Sequence, residues 1–343
     1  MNVLFICDTV NRGGKEILLL DICKNVSKHD SNIFLISNGG DLEKEFRNSN
    51  VIFFKAKRIF PIDLRYIFFI RNSIKKFNID IIHTHDSVSE VHGFIASLGS
   101  NARIIRTYHG YNKKAYKDNC VSRLLAKHID ADISVSRAFC DNLVNLKVIN
   151  HKSKNFIVHN GIDPRRILEN GDKKLKRELK LNNNIFLMGM VANFTSAKDH
   201  ITICRALPEV FNKLPNSRFV FVGEGTYCEA CLCDNYVKLC KQNNIFDKVF
   251  FLGNRDDINN ILRSLDLFVF SSNTDTFGIA VIEAMMAGIP CLINDIPALL
   301  EVSNNGKCAF IFKKGDVKDL ISKVLFVNRN ISKRSEVTID AKK

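Results

Sequence analysis

Short apolar runs alternate along the whole chain with longer stretches that can form helices. Apolar runs with few polar positions are typical of strands that are buried on both faces, as in parallel sheets covered by helices. The first half contains seven such runs, at 3–7, 33–37, 51–54, 79–83, 103–107, 133–135 and 156–158. The second half contains six more, at 186–191, 218–222, 248–252, 267–270, 291–293 and 309–312. Two such series predict an α/β protein with two doubly wound domains.

A polar, turn-rich segment separates the two series of strands. Residues 163–184 contain Asp-Pro-Arg-Arg, Asn-Gly-Asp and Asn-Asn-Asn, which are typical of a linker. We therefore predict a first domain over 1–165, a linker over 166–184, a second domain over 185–328 and a polar tail over 329–343. Because ligands of doubly wound sheets bind at the carboxyl ends of the strands, we expect a central binding cleft between the two domains.

The formal net charge of +14 has three possible explanations: a nucleic-acid partner, an anionic membrane surface, or plain solubility in a lysine-rich chain. The basic residues are spread along the chain and form no aromatic-basic nucleic-acid module, so we do not expect nucleic acid as a partner. Residues 65–77 combine basic and apolar side chains at helical spacing. Such a helix either packs on a sheet or lies on an anionic membrane surface, and the second alternative stays open.

The chain begins Met-Asn-Val-Leu-Phe-Ile-Cys, which lacks the cationic leader and cleavage pattern of a signal peptide. No apolar run approaches the ~20 residues of a membrane-spanning helix. We therefore expect a cytoplasmic protein, with peripheral attachment to the inner face of the membrane as an alternative. The eleven cysteines are then expected to be reduced.

One group of cysteines has spacing that deserves comparison with metal sites. It begins with a Cys-x2-Cys pair and comprises Cys228, Cys231, Cys233 and Cys240. Tetrahedral zinc sites usually use two separated pairs, and that arrangement is missing here. The segment also has a helical pattern, so we predict no metal site.

Two carboxylates eight positions apart, Asp275 and Glu283, mark the segment that is most informative about function. A strand pattern ends before Asp275, and a helix is predicted to start near Gly278 with Glu283 in its second turn. The N–H groups at this helix start, over Gly278, Ile279 and Ala280, would suit a diphosphate. A carboxylate in the second turn can accept hydrogen bonds from sugar hydroxyls. The alternative is an ordinary strand–loop–helix in which Asp275 only caps the helix.

Other polar motifs also follow predicted strands. Gly13 and Gly14 lie between the first strand and an apolar helix, and would allow close approach of a ligand to the backbone, although a plain helix start explains them equally well. His85 and His109 end two strands of one predicted sheet, which indicates a site more strongly than one histidine would. The second half contributes candidate contacts at four further positions: Asn193, Lys198, Gly223 and Leu252.

The order of these motifs resembles that of the retaining glycosyltransferases of family 4, also described as glycosyl transferases group 1. Residues 275–283 are similar to the family's Glu-Gly-Phe-Gly with a following helical Glu, and 106–110 are similar to its Thr-x-His-Gly. Residues 193–200 are similar to its Arg-x4-Lys-Gly-His. The resemblance extends over 1–316 and implies the GT-B fold, in which two Rossmann-like domains face each other across a cleft.

The resemblance also implies roles for individual residues. Lys198 would neutralise the leaving diphosphate together with the helix start. Glu283 would hold the ribose, and Asp275 would orient the donor sugar without acting as a covalent nucleophile. His109 would contact the sugar from the first domain.

Two positions depart from the family pattern. Asp275 stands where the family usually has Glu, and Asn193 stands in place of an Arg, so one diphosphate-binding cation is absent. The remaining nucleotide contacts implied by the resemblance are made by the backbone, at Gly223 and Leu252.

The implied activity is that of a hexosyltransferase. It would transfer a sugar, with retention, from a nucleoside diphosphate sugar to a glycan or lipid-linked acceptor, in surface polysaccharide or lipopolysaccharide biosynthesis. The donor is a substrate, and neither a cofactor nor a metal ion is expected. The alternatives are a nucleotide-sugar epimerase or hydrolase on the same scaffold, and a non-enzymatic basic protein that binds RNA or membranes.

Overall fold

The computed structural model describes residues 1–26, 31–110, 125–149, 154–168, 174–225 and 231–341. The chain divides into two compact units, Met1–Ile162 and Asp163–Lys343. Each unit contains a parallel β-sheet whose strands alternate along the chain with helices. The predicted α/β class with two doubly wound domains is therefore confirmed.

The described part of the first unit forms a seven-stranded parallel sheet in the order β3-β2-β1-β4-β5-β6-β7. The strands are β1 (Asn2–Ile6), β2 (Asn32–Ser37), β3 (Val51–Lys55), β4 (Ile81–Thr84), β5 (Arg103–Tyr108), β6 (Ala131–Ser134) and β7 (Asn155–Ile157). The described helices are α1 (Gly14–Val26), α2 (Glu43–Arg47), α3 (Leu64–Lys76), α4 (Ser87–Ser97) and α5 (Arg137–Asn145). β1 lies between β2 and β4, so the chain order reverses there.

The described part of the second unit forms a six-stranded parallel sheet in the order β10-β9-β8-β11-β12-β13. The strands are β8 (Phe186–Val191), β9 (Ser217–Val222), β10 (Val249–Phe251), β11 (Leu267–Phe270), β12 (Cys291–Asn294) and β13 (Phe310–Phe312). Its order reverses between β8 and β11, which are hydrogen-bonded neighbours. In such sheets, ligands bind outside the carboxyl ends of the strands at the reversal.

Helices surround this second sheet, and a short 3₁₀ helix (Phe246–Lys248) precedes β10. The described α-helices are α6 (Pro164–Leu168), α7 (Leu175–Glu178), α8 (His200–Lys213), α9 (Cys231–Gln242), α10 (Ile258–Ser264), α11 (Ile279–Met286), α12 (Pro297–Val302), α13 (Val317–Arg329) and α14 (Ile331–Ala341). Among the helices of the described ranges, none combines the length and the apolar character that crossing a bilayer requires.

The structure differs from the predicted boundaries at two places. The division falls between 162 and 163, and the described part of the predicted linker contains α6 and α7. Leu175 of α7 is 2% exposed and belongs to the core of the second unit. Burial of its apolar side chain is favoured because it removes apolar surface from water. The predicted polar tail is helix α14, whose Val337 is buried in the same core. Residues 169–173 lie outside the described residues.

A buried charge cluster stabilises the first unit beneath the ends of β4 and β5. The guanidinium of Arg106 on β5 donates hydrogen bonds to the carboxylates of Glu90 on α4 and Asp132 on β6. Arg106 is 2% exposed, Glu90 3% and Asp132 1%. Since each charge has lost its water, the cluster is stable only while the opposite charges remain together.

A buried histidine lies in the core of the second unit. His200 is fully buried at the start of α8, with its ring stacked on Phe194 at 4.4 Å and on Tyr236 at 5.5 Å between centroids. Burial lowers the pKa of His200 from 6.5 to about 4, because the surrounding aromatic rings do not solvate an imidazolium.

We predict that Arg106→Met lowers the free energy of unfolding of the first unit by about 3–5 kcal/mol, because two buried carboxylates lose their shared cation. Arg103→Met is the matched control on the same strand. Its side chain is 74% exposed and pairs with Asp130 at 2.7 Å, so the loss should be about 1 kcal/mol or less. Urea unfolding followed by circular dichroism measures both variants. Equal losses would show that the buried cluster has no special role.

We also predict that the second unit loses stability as the pH falls from 6.5 towards 4. The unfolded His200 binds a proton over this range and the folded one does not, so the stabilisation is complete above pH 6.5 and declines below it, by up to about 3 kcal/mol. Hydrogen exchange of β8 and β9 should show this decline. It should be smaller in His200→Phe and unchanged in His159→Phe, whose histidine is exposed. An identical decline in His200→Phe would contradict the assignment.

Candidate active site

Helix α11 of the second unit begins immediately after Gly278. Gly278 has a φ of 92°, and a Cβ there would lie 2.7 Å from Cδ2 of Leu299, so a larger residue would strain the turn and clash with α12. The N–H groups of Ile279 and Ala280 lie in the first turn, where a helix supplies no acceptor of its own. They add partial positive charge at the carboxyl edge of the sheet.

Glu283 lies in the second turn of α11 and is held by a cation from α6. Arg166 Nη2 donates to Glu283 Oε1 at 3.0 Å, and the Glu283 side chain is only 12% exposed. The guanidinium fixes the position of the carboxylate. Sequence reasoning missed Arg166, because it placed this residue in a linker. The Asp-Pro-Arg-Arg run, with Pro at a helix start, was the available signal.

The second acidic residue, Asp275, pairs directly with Lys198. The Lys198 ammonium donates to Asp275 Oδ2 at 2.5 Å and lies 4.8 Å from the ring centroid of Phe270. The other oxygen of Asp275 accepts a hydrogen bond from Thr276 N at 2.9 Å. Both side chains are mostly buried, with Lys198 22% and Asp275 11% exposed. A carboxylate that lies four residues before the start of α11 and an ammonium from the loop after β8 are therefore held together.

A set of hydrogen bonds fixes the loop that carries Lys198 to the loop after β11. Asp199 N donates to Ser271 O at 3.0 Å, and Ser271 Oγ donates to Asp199 Oδ2 at 2.8 Å. Ser272 N donates to Asn294 Oδ1 at 3.0 Å, which joins the end of β12 to the same loop. These contacts place Lys198 opposite Asp275. The sequence did not reveal them, because Ser, Asp and Asn are common at strand ends for many reasons.

Asn193, which stands where the family pattern has an arginine, is exposed. Asn193 follows β8, and its Oδ1 accepts a hydrogen bond from Glu224 N at 3.4 Å. The amide thus ties the loops after β8 and β9 together but brings no charge. Lys198 remains the sequence-predicted cation of this loop.

The two predicted backbone contacts lie at neighbouring strand ends. Gly223 has a φ of 138°, and a Cβ there would lie 2.3 Å from Ala192 O, so only glycine fits where the ends of β8 and β9 approach each other. The Leu252 N–H donates to Phe221 O at 2.9 Å. Any backbone contact of Leu252 with a ligand must therefore use its carbonyl oxygen.

In the first unit, a row of histidines lies at the carboxyl ends of β4 and β5. His85 Nδ1 and His109 Nε2 are 2.8 Å apart and share a hydrogen bond, and His83 Nε2 lies 2.7 Å from Thr107 Oγ1. Burial lowers the pKa of His109 to about 3 and that of His83 to about 4, and it also lowers the pKa of His85. At neutral pH these imidazoles are uncharged and can position a hydroxyl group without adding charge.

His85 and His109 line a cavity of about 230 Å³ in this unit. His85 is 2% exposed, and its Nε2 has no hydrogen-bond partner among the described residues. Lys15 also lines the cavity, with its ammonium 3.1 Å from Glu16 Oε1 and 3.9 Å from Asp86 Oδ2. The sequence assigned no role to Lys15, because a lysine in the first turn of a helix is common on solvated surfaces.

The predicted glycines precede this lysine. Helix α1 begins at Gly14, and Gly13 O accepts a hydrogen bond from Ile17 N at 3.0 Å. A Cβ on Gly13 would lie 2.6 Å from Glu16 Oε2, so glycine makes room for this carboxylate beside Lys15.

The cysteines whose side chains the structure describes give no indication of a metal site. Cys240 is fully buried in the core of the second unit and Cys233 is half-buried, whereas Cys228 lies outside the described residues. Within the described ranges, no group of three or more His, Cys, Asp or Glu is placed to hold a metal ion.

Two family models match the chain. The model described as Glycosyl transferases group 1 matches residues 171–343, half of the chain. The model described as Glycosyltransferase Family 4 matches residues 12–166.

Relatives of known name match most of the chain. The UDP-Gal:α-D-GlcNAc-diphosphoundecaprenol α-1,3-galactosyltransferase of Escherichia coli is 27% identical over 77% of this chain and 70% of its own length. The N-acetyl-α-D-glucosaminyl L-malate synthase of Bacillus anthracis is 22% identical over 95% of this chain and 89% of its own length.

Solved structures show the same fold. The Anabaena protein HepE in complex with UDP and glucose superposes with a TM-score of 0.85 at 18% identity, covering 100% of this chain and 94% of HepE. WaaG, a glycosyltransferase of lipopolysaccharide biosynthesis, gives a TM-score of 0.72 at 14% identity, covering 99% and 94%. With both halves of its sequence matched by family models, the chain belongs to the glycosyl transferases group 1 of family 4, has the GT-B fold, and is a hexosyltransferase-type enzyme.

Proposed function

We propose that this glycosyltransferase transfers a sugar from a nucleoside diphosphate sugar to a hydroxyl group of a glycan or lipid-linked acceptor, with retention at the anomeric carbon. The observation that carries the proposal is the Lys198–Asp275 pair, whose carboxylate lies four residues before the start of α11. At one end of a sheet, this pair and the start of α11 bring together a cation, a carboxylate that can accept hydrogen bonds from sugar hydroxyls, and the first N–H groups of a helix.

In the reaction, the bond between the anomeric carbon and the diphosphate oxygen breaks, and a bond to the acceptor oxygen forms on the same face of the sugar. The proton of the acceptor hydroxyl passes to the leaving phosphate oxygen. Charge develops on the leaving diphosphate, and Lys198 together with the N–H groups of Ile279 and Ala280 would neutralise it. In this proposal the protein supplies that neutralisation, and no metal ion takes part.

The carboxylates would position the donor. Asp275 would accept hydrogen bonds from the sugar hydroxyls, and Glu283, held by Arg166, would accept those of the ribose. His109, which is uncharged at neutral pH, would contact the sugar through its imidazole. Gly223 and the Leu252 carbonyl would meet the nucleotide, and Gly13 and Gly14 would border the pocket beside α1.

We infer an acceptor in surface polysaccharide or lipopolysaccharide assembly. Support comes from the name of the E. coli galactosyltransferase, which acts on a diphosphoundecaprenol-linked sugar, and from O-antigen glycosyltransferases that are 23% identical. Because the lipid of a lipid-linked acceptor would hold it in a membrane, we propose a cytoplasmic enzyme that binds peripherally to the inner face. A thermal-shift screen against UDP-, GDP-, ADP- and CMP-sugars, beginning with UDP-sugars, would identify the donor.

We predict that Lys198→Ala lowers kcat by at least about 100-fold, because the leaving diphosphate loses its cation. Lys314→Ala is the matched control. Its ammonium donates to Asn273 O at 2.8 Å in the same loop, but the residue is exposed and has no proposed catalytic role. Turnover is measured as release of nucleoside diphosphate, with the donor alone as the test for hydrolysis. Wild-type turnover in folded Lys198→Ala would exclude the diphosphate role.

We predict that Glu283→Gln raises the Kd of the nucleotide about tenfold, since hydrogen bonds from the ribose to a charged oxygen are replaced by weaker ones. Glu336→Gln serves as the control, because Glu336 also pairs with a cation, Lys333, but is 60% exposed on α14. Calorimetry measures both constants. An unchanged Kd in Glu283→Gln would remove the ribose assignment.

A further inference from the structure

Helix α3 of the first unit carries apolar residues on two faces. One face contains Tyr66, Ile67, Ile70 and Ile74, which are buried against the sheet. Of the two alternatives that the sequence left open for this helix, packing on the sheet is therefore confirmed. Packing on the sheet does not account for the second apolar face, because Leu64 and Phe68, one turn apart, are 66% and 62% exposed.

The exposed apolar residues continue into the loop before α3. Ile59 is 57% exposed, Phe60 57% and Ile62 61%. Five large apolar side chains are thus exposed to solvent within the ten residues 59–68, which form this loop and the first turns of α3. Single exposed apolar residues are ordinary, whereas a group of this kind marks an interaction site.

Basic residues flank these apolar side chains. The segment 57–76 contains six cations and a single carboxylate, Asp63. Asp63 is 3% exposed and accepts hydrogen bonds from the first N–H groups of α3, so its charge faces the helix start. The cations are Lys57, Arg58, Arg65, Arg71, Lys75 and Lys76. The partner that this surface fits is therefore both apolar and anionic.

The loop lies at the functional edge of its sheet. It follows β3, so it belongs to the carboxyl ends of the parallel strands, as do His85 and His109. A chain of contacts links it to the histidine cavity. Arg58 Nε donates to Asp8 Oδ1 at 3.2 Å, Asp8 N donates to Asp86 Oδ2 at 2.8 Å, and Asp86 lines the cavity.

We propose that residues 57–76, here named the 57–76 surface, dock the enzyme onto an anionic lipid bilayer. The apolar residues insert into the interface, and the exposed flanking cations pair with lipid phosphates. These cations are Lys57, Arg65, Lys75 and Lys76. The docked surface holds the histidine cavity of the same sheet edge close to the bilayer, where a lipid-linked acceptor presents its head group. This last step depends on the acceptor class of the proposed function, whereas membrane docking itself does not.

A bilayer explains the surface better than a protein partner does. Short apolar insertion alone gives weak, reversible membrane binding, and stable attachment requires a second, basic signal. The segment supplies both, with its apolar residues at the loop and helix start and Arg71, Lys75 and Lys76 towards the end of α3.

The test is co-sedimentation of the full-length protein with vesicles. Wild type should bind vesicles of phosphatidylcholine mixed with phosphatidylglycerol, and bind phosphatidylcholine alone much less. Phe60→Ser combined with Phe68→Ser should lower the partition coefficient at least about tenfold through lost apolar burial. Lys75→Glu combined with Lys76→Glu should lower it at least about tenfold, and only on the anionic vesicles.

Each double variant has a matched control in the second unit. For the phenylalanine variant, the control is Phe246→Ser, which removes an aromatic ring that is 44% exposed. Lys238→Glu combined with Lys241→Glu reverses two exposed lysines near the end of α9, a position like that of Lys75 and Lys76 in α3. These controls should bind vesicles like wild type. Such a result would show that the loss of binding comes from the 57–76 surface and not from a general change in charge or folding.

Calorimetry with the nucleotide distinguishes this inference from the proposed function. Variants of the 57–76 surface should bind nucleotide like wild type. A wild type that binds nucleotide but not anionic vesicles would overturn the docking proposal, and the peripheral attachment with it, and would leave the proposed glycosyl transfer in place. Vesicle binding without nucleotide binding would contradict the proposed function alone. If the phenylalanine variant changes the oligomeric state while vesicle binding persists, the surface is a protein interface and the docking proposal is wrong.

Discussion

Parallel strands that run in one direction bring the loops at their carboxyl ends to a single edge of the sheet, and this constraint positions each functional group described above. In the second unit, Lys198 follows β8 and Asp275 follows β11, and these two strands are direct neighbours where the strand order reverses. In the first unit, His85 and His109 follow the neighbouring strands β4 and β5. The residues meet because their strands pair, although they are far apart in sequence.

The charges at the edge of the second unit are arranged in pairs. Lys198 lies against Asp275 and Arg166 lies against Glu283, so each carboxylate that the family pattern assigns to the donor already has a cationic partner. Such pairs hold the side chains in defined positions before a ligand arrives, which reduces the ordering cost of binding. In the proposed site, Asn193 stands where the family pattern has an arginine, so the diphosphate would be left to Lys198 and the N–H groups of α11.

The strands were predictable because buried parallel strands are continuous apolar runs, and the start of α11 was predictable because Gly278 follows a polar loop. The sequence did not predict the contacts made by four polar residues: Arg166, Lys15, Ser271 and Asn294. Each is a common polar residue in an ordinary loop or helix start, and its partner lies in another element. The predicted linker and tail were polar in composition, but Leu175 and Val337 supply the few apolar positions that pack α7 and α14 into the core.

The sequence by itself determined the two α/β domains, the order of the motifs and the residue types available for chemistry, because these depend on local periodicity and spacing. Only the tertiary structure decided which charges are neighbours, which histidines are buried and uncharged, and which apolar residues of 57–76 remain in solvent. Pairing and burial depend on contacts between elements that are distant in the chain, and a single sequence does not specify those distances.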